Sequence, residues 1–269
     1  MKKLLSLLLV LSLFAACAAC KPSKNDGGKD SAETETSSSV PETSVNVPEA
    51  AMSYAEYVAA ELDSQVVVET YVQAKQSWWD NKATFYTQNE DGAIFIYNMP
   101  CTEEDYAKLT PGTKIKVKGY KSAWAGEVEI IDAVYDILEG NFIAQPLDVT
   151  ALLGTDELEA HQNQFVSFKG LTVVASTYTD NDVQKTAPFL YNWNGSGSHD
   201  ANSDLYFNVS DGENTYTFTV ESYLCDKNSE VYAAVEALNI GDVIDMEGFL
   251  YWYNGVNPHI TKVTPATIE

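Results

Sequence analysis

The sequence predicts a mainly β protein made of two tandem copies of one five-stranded domain, each with a short helix between strands 3 and 4. An internal duplication and a strand periodicity carry the prediction. Residues 64–81 are echoed by 163–181, residues 84–98 by 205–221, and residues 101–130 by 225–260, in the same order. Within these blocks apolar and polar side chains alternate, the period at which a strand buries one face. The chain divides on this reading into segments 1–16, 17–50, 51–140 and 141–269.

The N-terminal segment reads as an address. Lys2 and Lys3 precede an apolar run over residues 4–14, shorter than the roughly 20 residues that span a bilayer and shaped as an export signal. It ends in Leu13-Phe14-Ala15-Ala16-Cys17-Ala18-Ala19-Cys20, which resembles the lipobox of bacterial lipoproteins. That resemblance implies a lipidated cysteine at the mature N-terminus. Cys17 fits better, with apolar and small residues before it; Cys20 and an ordinary secretory cleavage stay open as alternatives. The expected location is the outer face of the bacterial cytoplasmic membrane, with lipid as the membrane anchor. Residues 21–50 are rich in Ser, Thr, Glu and Pro, too poor in apolar surface to offset chain entropy, and are expected to form a disordered tether.

Each repeat then unfolds in the same order. Residues 65–74 place Val66, Val68, Thr70 and Val72 on one strand face. Residues 84–87 and 93–97 flank Asn89-Glu90-Asp91-Gly92, a composition that turns two strands into a hairpin, and Ser210-Asp211-Gly212 does the same in the second copy. A helix is expected over 103–109 with Thr102 as N-cap, ending at Pro111-Gly112, and another over 230–238, ending at Gly241. A fourth strand over 114–121, a Trp-Ala-Gly turn and a fifth strand over 128–135 complete the first copy.

This order resembles the OB-fold, a five-stranded Greek-key barrel. Pro111-Gly112-Thr113-Lys114-Ile115-Lys116-Val117-Lys118-Gly119-Tyr120 and Ile240-Gly241-Asp242-Val243-Ile244-Asp245-Met246-Glu247-Gly248-Phe249 look like the G-x-x-V-x-V-x-G fourth strand of bacterial OB-domains. The nearest kin by this resemblance are OB-like accessory domains of exported Gram-positive proteins. It implies two OB-fold-like barrels and no catalytic residue. It also implies a ligand face on strands 2 and 3, framed by the loops between strands 1 and 2 and between strands 4 and 5.

Those loops carry the aromatic residues. Trp78 and Trp79 lie in the first loop of repeat one and Trp124 in its second; repeat two offers Tyr178 and Trp193 in a long first loop and Tyr251, Trp252 and Tyr253 in its second. These eight are the candidate ligand-binding residues, because aromatic faces stack on sugar rings, bases or peptide side chains. The competing reading has them capping the barrels and packing the domains together.

Composition bears on the partner. The formal net charge is -23, from 39 acidic against 16 basic residues, and every basic residue is lysine. Such a field repels polyanions, so nucleic acid is not expected as a partner. The lysines at 114, 116, 118 and 121 form the one local stripe that would suit phosphates, and the second copy lacks it. His161, His199 and His259 are scattered, and the loops at 180–182 and 199–204 lack the pattern of an EF-hand. No metal, cofactor or enzymatic activity is expected. Cys101 and Cys225 occupy equivalent places in the two copies and read as two buried thiols; a disulfide between them would need a packing that brings the alpha carbons within about 7 Å. The expected function is therefore a surface lipoprotein binding an extracellular glycan, peptide or protein. A structural component of the envelope and, more remotely, a single-stranded nucleic-acid binder are the alternatives.

Overall fold

A computed structural model describes residues 49–266. The export signal, Cys17, Cys20 and nearly all of the expected tether lie outside the described residues. Helix α1 (Tyr54–Ala59) opens the described chain, with Ser53 and Glu56 forming a reciprocal capping box. The first barrel follows as β1 (Gln65–Lys75), β2 (Lys82–Gln88), β3 (Ala93–Pro100), helix α2 (Glu103–Lys108), β4 (Thr113–Trp124) and β5 (Glu127–Asn141). Its strand order is β1-β2-β3-β5-β4, and β4 pairs back onto β1 to close it. Val66, Val68, Phe85, Ile94, Ile96, Ile115 and Val117 fill the interior. The hairpin between β2 and β3 is held by Asn89 Oδ1, which accepts from the backbone N–H groups of Asp91 and Gly92 at 2.9 and 3.0 Å.

The second barrel uses β7 (Phe165–Val174), β11 (Leu205–Ser210), β12 (Thr215–Val220), helix α3 (Glu230–Glu236), β13 (Val243–Phe249) and β14 (His259–Pro265). It closes through pairing of β11 with β7, and short strands β6 (Leu147–Asp148) and β10 (Phe189–Tyr191) extend its edges. Two antiparallel strands, β8 (Ser176–Asp180) and β9 (Val183–Ala187), form a separate arm within what the sequence suggests is one long loop. Asn181 and Asp182 both take positive φ, at 49° and 62°, which is what a two-residue hairpin turn of right-handed twist demands. The described part of the chain is thus mainly β, with two closed five-stranded barrels.

The glycines of the fourth-strand pattern have a steric cause. A Cβ on Gly119 would lie 2.7 Å from the Ile131 carbonyl oxygen, and one on Gly248 would lie 2.3 Å from that of His259. Both sit where the ladder to the next strand shifts register, so the backbones approach closely at a bulge.

Strands β2 and β3 bury both faces. Phe85 and Ile94 point into the barrel, whereas Tyr86 and Phe95 point out and form, with Phe249 of the second barrel, a separate buried cluster flanked by Phe165, Leu224 and Tyr251. The Tyr86 hydroxyl and His259 Nδ1 are 2.6 Å apart in this seam. Burial holds His259 neutral, with its pKa lowered to about 3. Phe165 N–H donates to Gln88 Oε1 at 2.8 Å and Ser77 N–H to the Tyr223 carbonyl at 2.7 Å. The face of the first barrel on which an OB-fold ordinarily holds its ligand is therefore occupied by the second barrel.

Tyr86→Phe keeps the ring and leaves a buried imidazole nitrogen without its partner. It should lower unfolding stability by about 1–3 kcal/mol, read from urea denaturation.

Candidate ligand-binding groove

The corresponding outer face of the second barrel stays open. A groove of about 630 Å³ runs over β11 and β12, lined by Tyr206, Asn208 and Thr217 on the strands, Ser176, Thr177, Leu190 and Trp193 from the inserted arm and the segment after it, and Tyr253, Val256 and Asn257 from the β13–β14 connection. Trp193 is 75% exposed and Tyr253 50%, so both offer ring faces to solvent. Trp193 sits in a turn in which Asn192 and Gly195 take positive φ, and Gly195 lies against the Tyr178 ring, where a Cβ would meet it at 2.9 Å.

The polar side chains are partly committed. Thr217 donates to Asn208 Oδ1 at 2.7 Å, and Thr219 donates to Asn257 Oδ1 at 2.7 Å. Asn257 Nδ2 makes no hydrogen bond among the described residues and is free to donate into the groove. Carboxylates stand nearby: burial, then Asp204 and Glu221, raise the Tyr206 hydroxyl to about 12. Glu221 is itself raised to about 7 by burial and by Asp204. No lysine lines this groove.

Of the eight aromatic candidates, the structure brings Trp193 and Tyr253 into the groove and sets Tyr178 against Gly195. Trp124 stands at its end, its ring 5.2 Å from that of Tyr253. The others go elsewhere. Trp78 packs against the first core with its indole N–H on the Cys101 carbonyl at 2.9 Å. Trp79 is exposed near Lys82, away from the groove. Tyr251 stacks on His259 at 4.2 Å in the seam, and Trp252 packs against the second core. Expecting Trp78, Tyr251 and Trp252 to be ligand platforms is thus corrected, because each ring finds apolar neighbours within reach of its loop. Sequence reading missed Tyr206, Asn208, Thr217 and Asn257. The outward alternation of residues 206 and 208 in Leu205-Tyr206-Phe207-Asn208 was the signal available.

The lysine stripe is largely neutralised. Lys114 pairs with Glu69 at 2.7 Å and Lys118 with Glu49 at 2.8 Å. Lys121 is buried, donating to the carbonyls of Tyr57, Val58 and Ala60 at the end of α1. Cys101 and Cys225 are both free thiols, the first buried and the second half-buried; burial raises them to about 11 and about 12.

One ionisable group ties the barrels together beside the groove. Glu127, fully buried, accepts the Trp252 N–H through Oε2 at 2.9 Å, while its Oε1 has no hydrogen-bond partner among the described residues. Burial raises its pKa to about 8 and that of Glu129 to about 7.

No protein-family model matches the chain, and no curated protein does. Solved structures of similar fold include a murine DNA-binding protein bound with double-stranded DNA, at 12% identity and a TM-score of 0.35, covering 76% of this chain and 97% of that one. The p202 HIN1 domain in complex with a 12-mer double-stranded DNA matches at 10% identity and a TM-score of 0.31, covering 74% and 91%. A deletion mutant of the single-stranded DNA-binding protein from Thermus aquaticus matches at 14% identity and a TM-score of 0.22, covering 76% and 95%. These proteins are DNA binders by description, against the expectation from net charge that nucleic acid is not a partner, and that expectation is withdrawn. Likeness at this level assigns no ligand to this chain.

Trp252→Ala should cost about 2–4 kcal/mol of stability, whereas Trp193→Ala should stay within about 0.5 kcal/mol, both by thermal or urea unfolding. Glu127 has a folded pKa above its ordinary 4.5, so its contribution is complete below that pH and is lost as pH rises through about 8. Glu127→Gln should flatten the decline of the denaturation midpoint between those limits; a variant with an unchanged slope would assign the decline to other groups.

Proposed function

We propose that this chain is a non-enzymatic binding protein whose second barrel holds the recognition surface and whose first barrel supports it. The observation that carries this is the open aromatic groove on β11 and β12, set against the closed equivalent face of the first barrel. Exposed rings of Trp193 and Tyr253 beside the free Asn257 amide form a surface that stacks on a ring and hydrogen-bonds its substituents. A glycan chain fits these groups best: sugar hydroxyls exchange hydrogen bonds with the Thr, Tyr and Asn side chains of the groove, and a neutral ligand requires no cation there. A single-stranded nucleic acid is the second reading, favoured by the same stacking platforms on a barrel of this architecture.

The lipobox-like segment places this function, in our reading, on an exported protein anchored by lipid at Cys17 on the outer face of the bacterial cytoplasmic membrane. Loss of metabolic lipid labelling in Cys17→Ala, with Cys20→Ala unaffected, is the outcome this anchor requires.

Tryptophan fluorescence during titration with β-glucan, chitin, xylan and mannan oligosaccharides should shift for at least one series. Trp193→Ala should weaken that binding by about tenfold or more, and Trp79→Ala should leave it unchanged. Oligothymidylate titrated at low and high salt tests the second reading, which requires binding that weakens as salt rises. Silence of every glycan series, or equal loss in both variants, would overturn the main one.

A further inference from the structure

A ring of the first barrel stands against a residue that lines the groove of the second. Trp124 belongs to the first barrel, at the tip of the β4–β5 hairpin, yet its ring stands 5.2 Å from that of Tyr253, a groove residue of the second. Both rings are about half exposed, at 55% and 50%. The hairpin turns through Ala125 and Gly126 with φ of 51° and 92°, a tight two-residue reversal that fixes the strand end carrying Trp124.

The other barrel grips that turn from several sides. Asn254 N–H donates to the Ala125 carbonyl at 2.6 Å, Gln162 Nε2 donates to the Gly126 carbonyl at 2.9 Å, and Trp252 N–H donates to Glu127 Oε2 at 2.9 Å. Val128 N–H reaches Gln162 Oε1 at 3.0 Å and Asn163 Nδ2 reaches the Val128 carbonyl at 3.1 Å. An aromatic side chain on a free hairpin tip would sample many positions. Trp124 is instead held in register with Tyr253 by bonds that cross the seam.

We propose that Trp124 is a distal subsite of the second barrel's groove, so that the ligand is an extended oligosaccharide that crosses the seam and reaches both barrels. The inference rests on the reading of the groove as a glycan site and adds a length requirement to it. A ligand one or two rings long occupies the surface around Trp193 and Tyr253 alone, whereas a longer chain also meets the Trp124 ring. The first barrel then has a direct role in recognition although its own strand face is closed.

The test is a length ladder of the oligosaccharide series that binds, titrated calorimetrically against the intact protein, Trp124→Ala and Trp193→Ala. Expected are an affinity gain of about tenfold from dimer to hexamer in the intact protein and loss of that gain in Trp124→Ala, whose dimer affinity stays unchanged. Trp193→Ala should weaken dimer and hexamer alike. Equal affinity of dimer and hexamer, or a hexamer unaffected by Trp124→Ala, would overturn this inference and leave the groove assignment standing. Failure of every oligosaccharide to bind, or binding of an oligothymidylate ladder in its place, would overturn the glycan reading and this inference with it. Trp124→Phe keeps a stacking face and should restore most of the gain, which a folding defect would not.

Discussion

Tyr86 and His259 meet by a hydrogen bond inside an otherwise apolar seam, and the asymmetry of the molecule follows from that contact. A tyrosine hydroxyl and an imidazole are costly to bury separately, and each satisfies the other only when the two barrels are packed at one register. Phe95, Phe249 and Phe165 supply apolar area around the pair, and Tyr251 covers the imidazole by stacking. Apolar packing gives the seam its strength, and the polar pair gives it a single alignment. Two copies of one domain consequently serve different ends: one offers its strand face as an adhesive surface, and the other keeps the same face open.

The acidic character of the molecule is concentrated where it matters chemically. Glu127 and Glu129 are held near neutral by burial at the seam, and Glu221 stands beside the groove with a raised pKa of its own. Burial thus shifts these three carboxyls toward their neutral form, which the formal charge of -23 does not take into account. Lys114 and Lys118 of β4 pair with Glu69 and Glu49, which removes these two from the inventory of free positive charge.

Much of the architecture was legible because it was written as pattern. Alternation disclosed the strands, the Asn89-to-Gly92 turn disclosed a hairpin, and the glycines at 119 and 248 recurred as part of a fourth-strand pattern whose bulge only the structure shows. The site was less legible because an exposed ring and a packed ring look alike in a sequence. Trp252 and Tyr253 are neighbours in the chain, yet one fills a core and the other lines a groove. Only the partner surface decides between them, and that surface comes from residues far away in sequence. The arm over residues 176–187 escaped notice for a related reason: its turn, Asn181-Asp182, resembles a loop unless flanking strands are already suspected. The pairing of Tyr86 with His259 spans 173 positions and leaves no local signal at all.

The doubly buried strands β2 and β3 also bear on how the molecule can be taken apart. A chain cut in the connection around residues 142–164 would leave the first fragment with Tyr86 and Phe95 in water, and the second with Phe165, Phe249 and an unpaired His259. Each fragment would expose the apolar residues of the seam, a surface that invites self-association. The repeat that is so plain in the sequence therefore does not mark a seam of independence. The pair of barrels, and neither one alone, keeps the Tyr86–His259 seam covered.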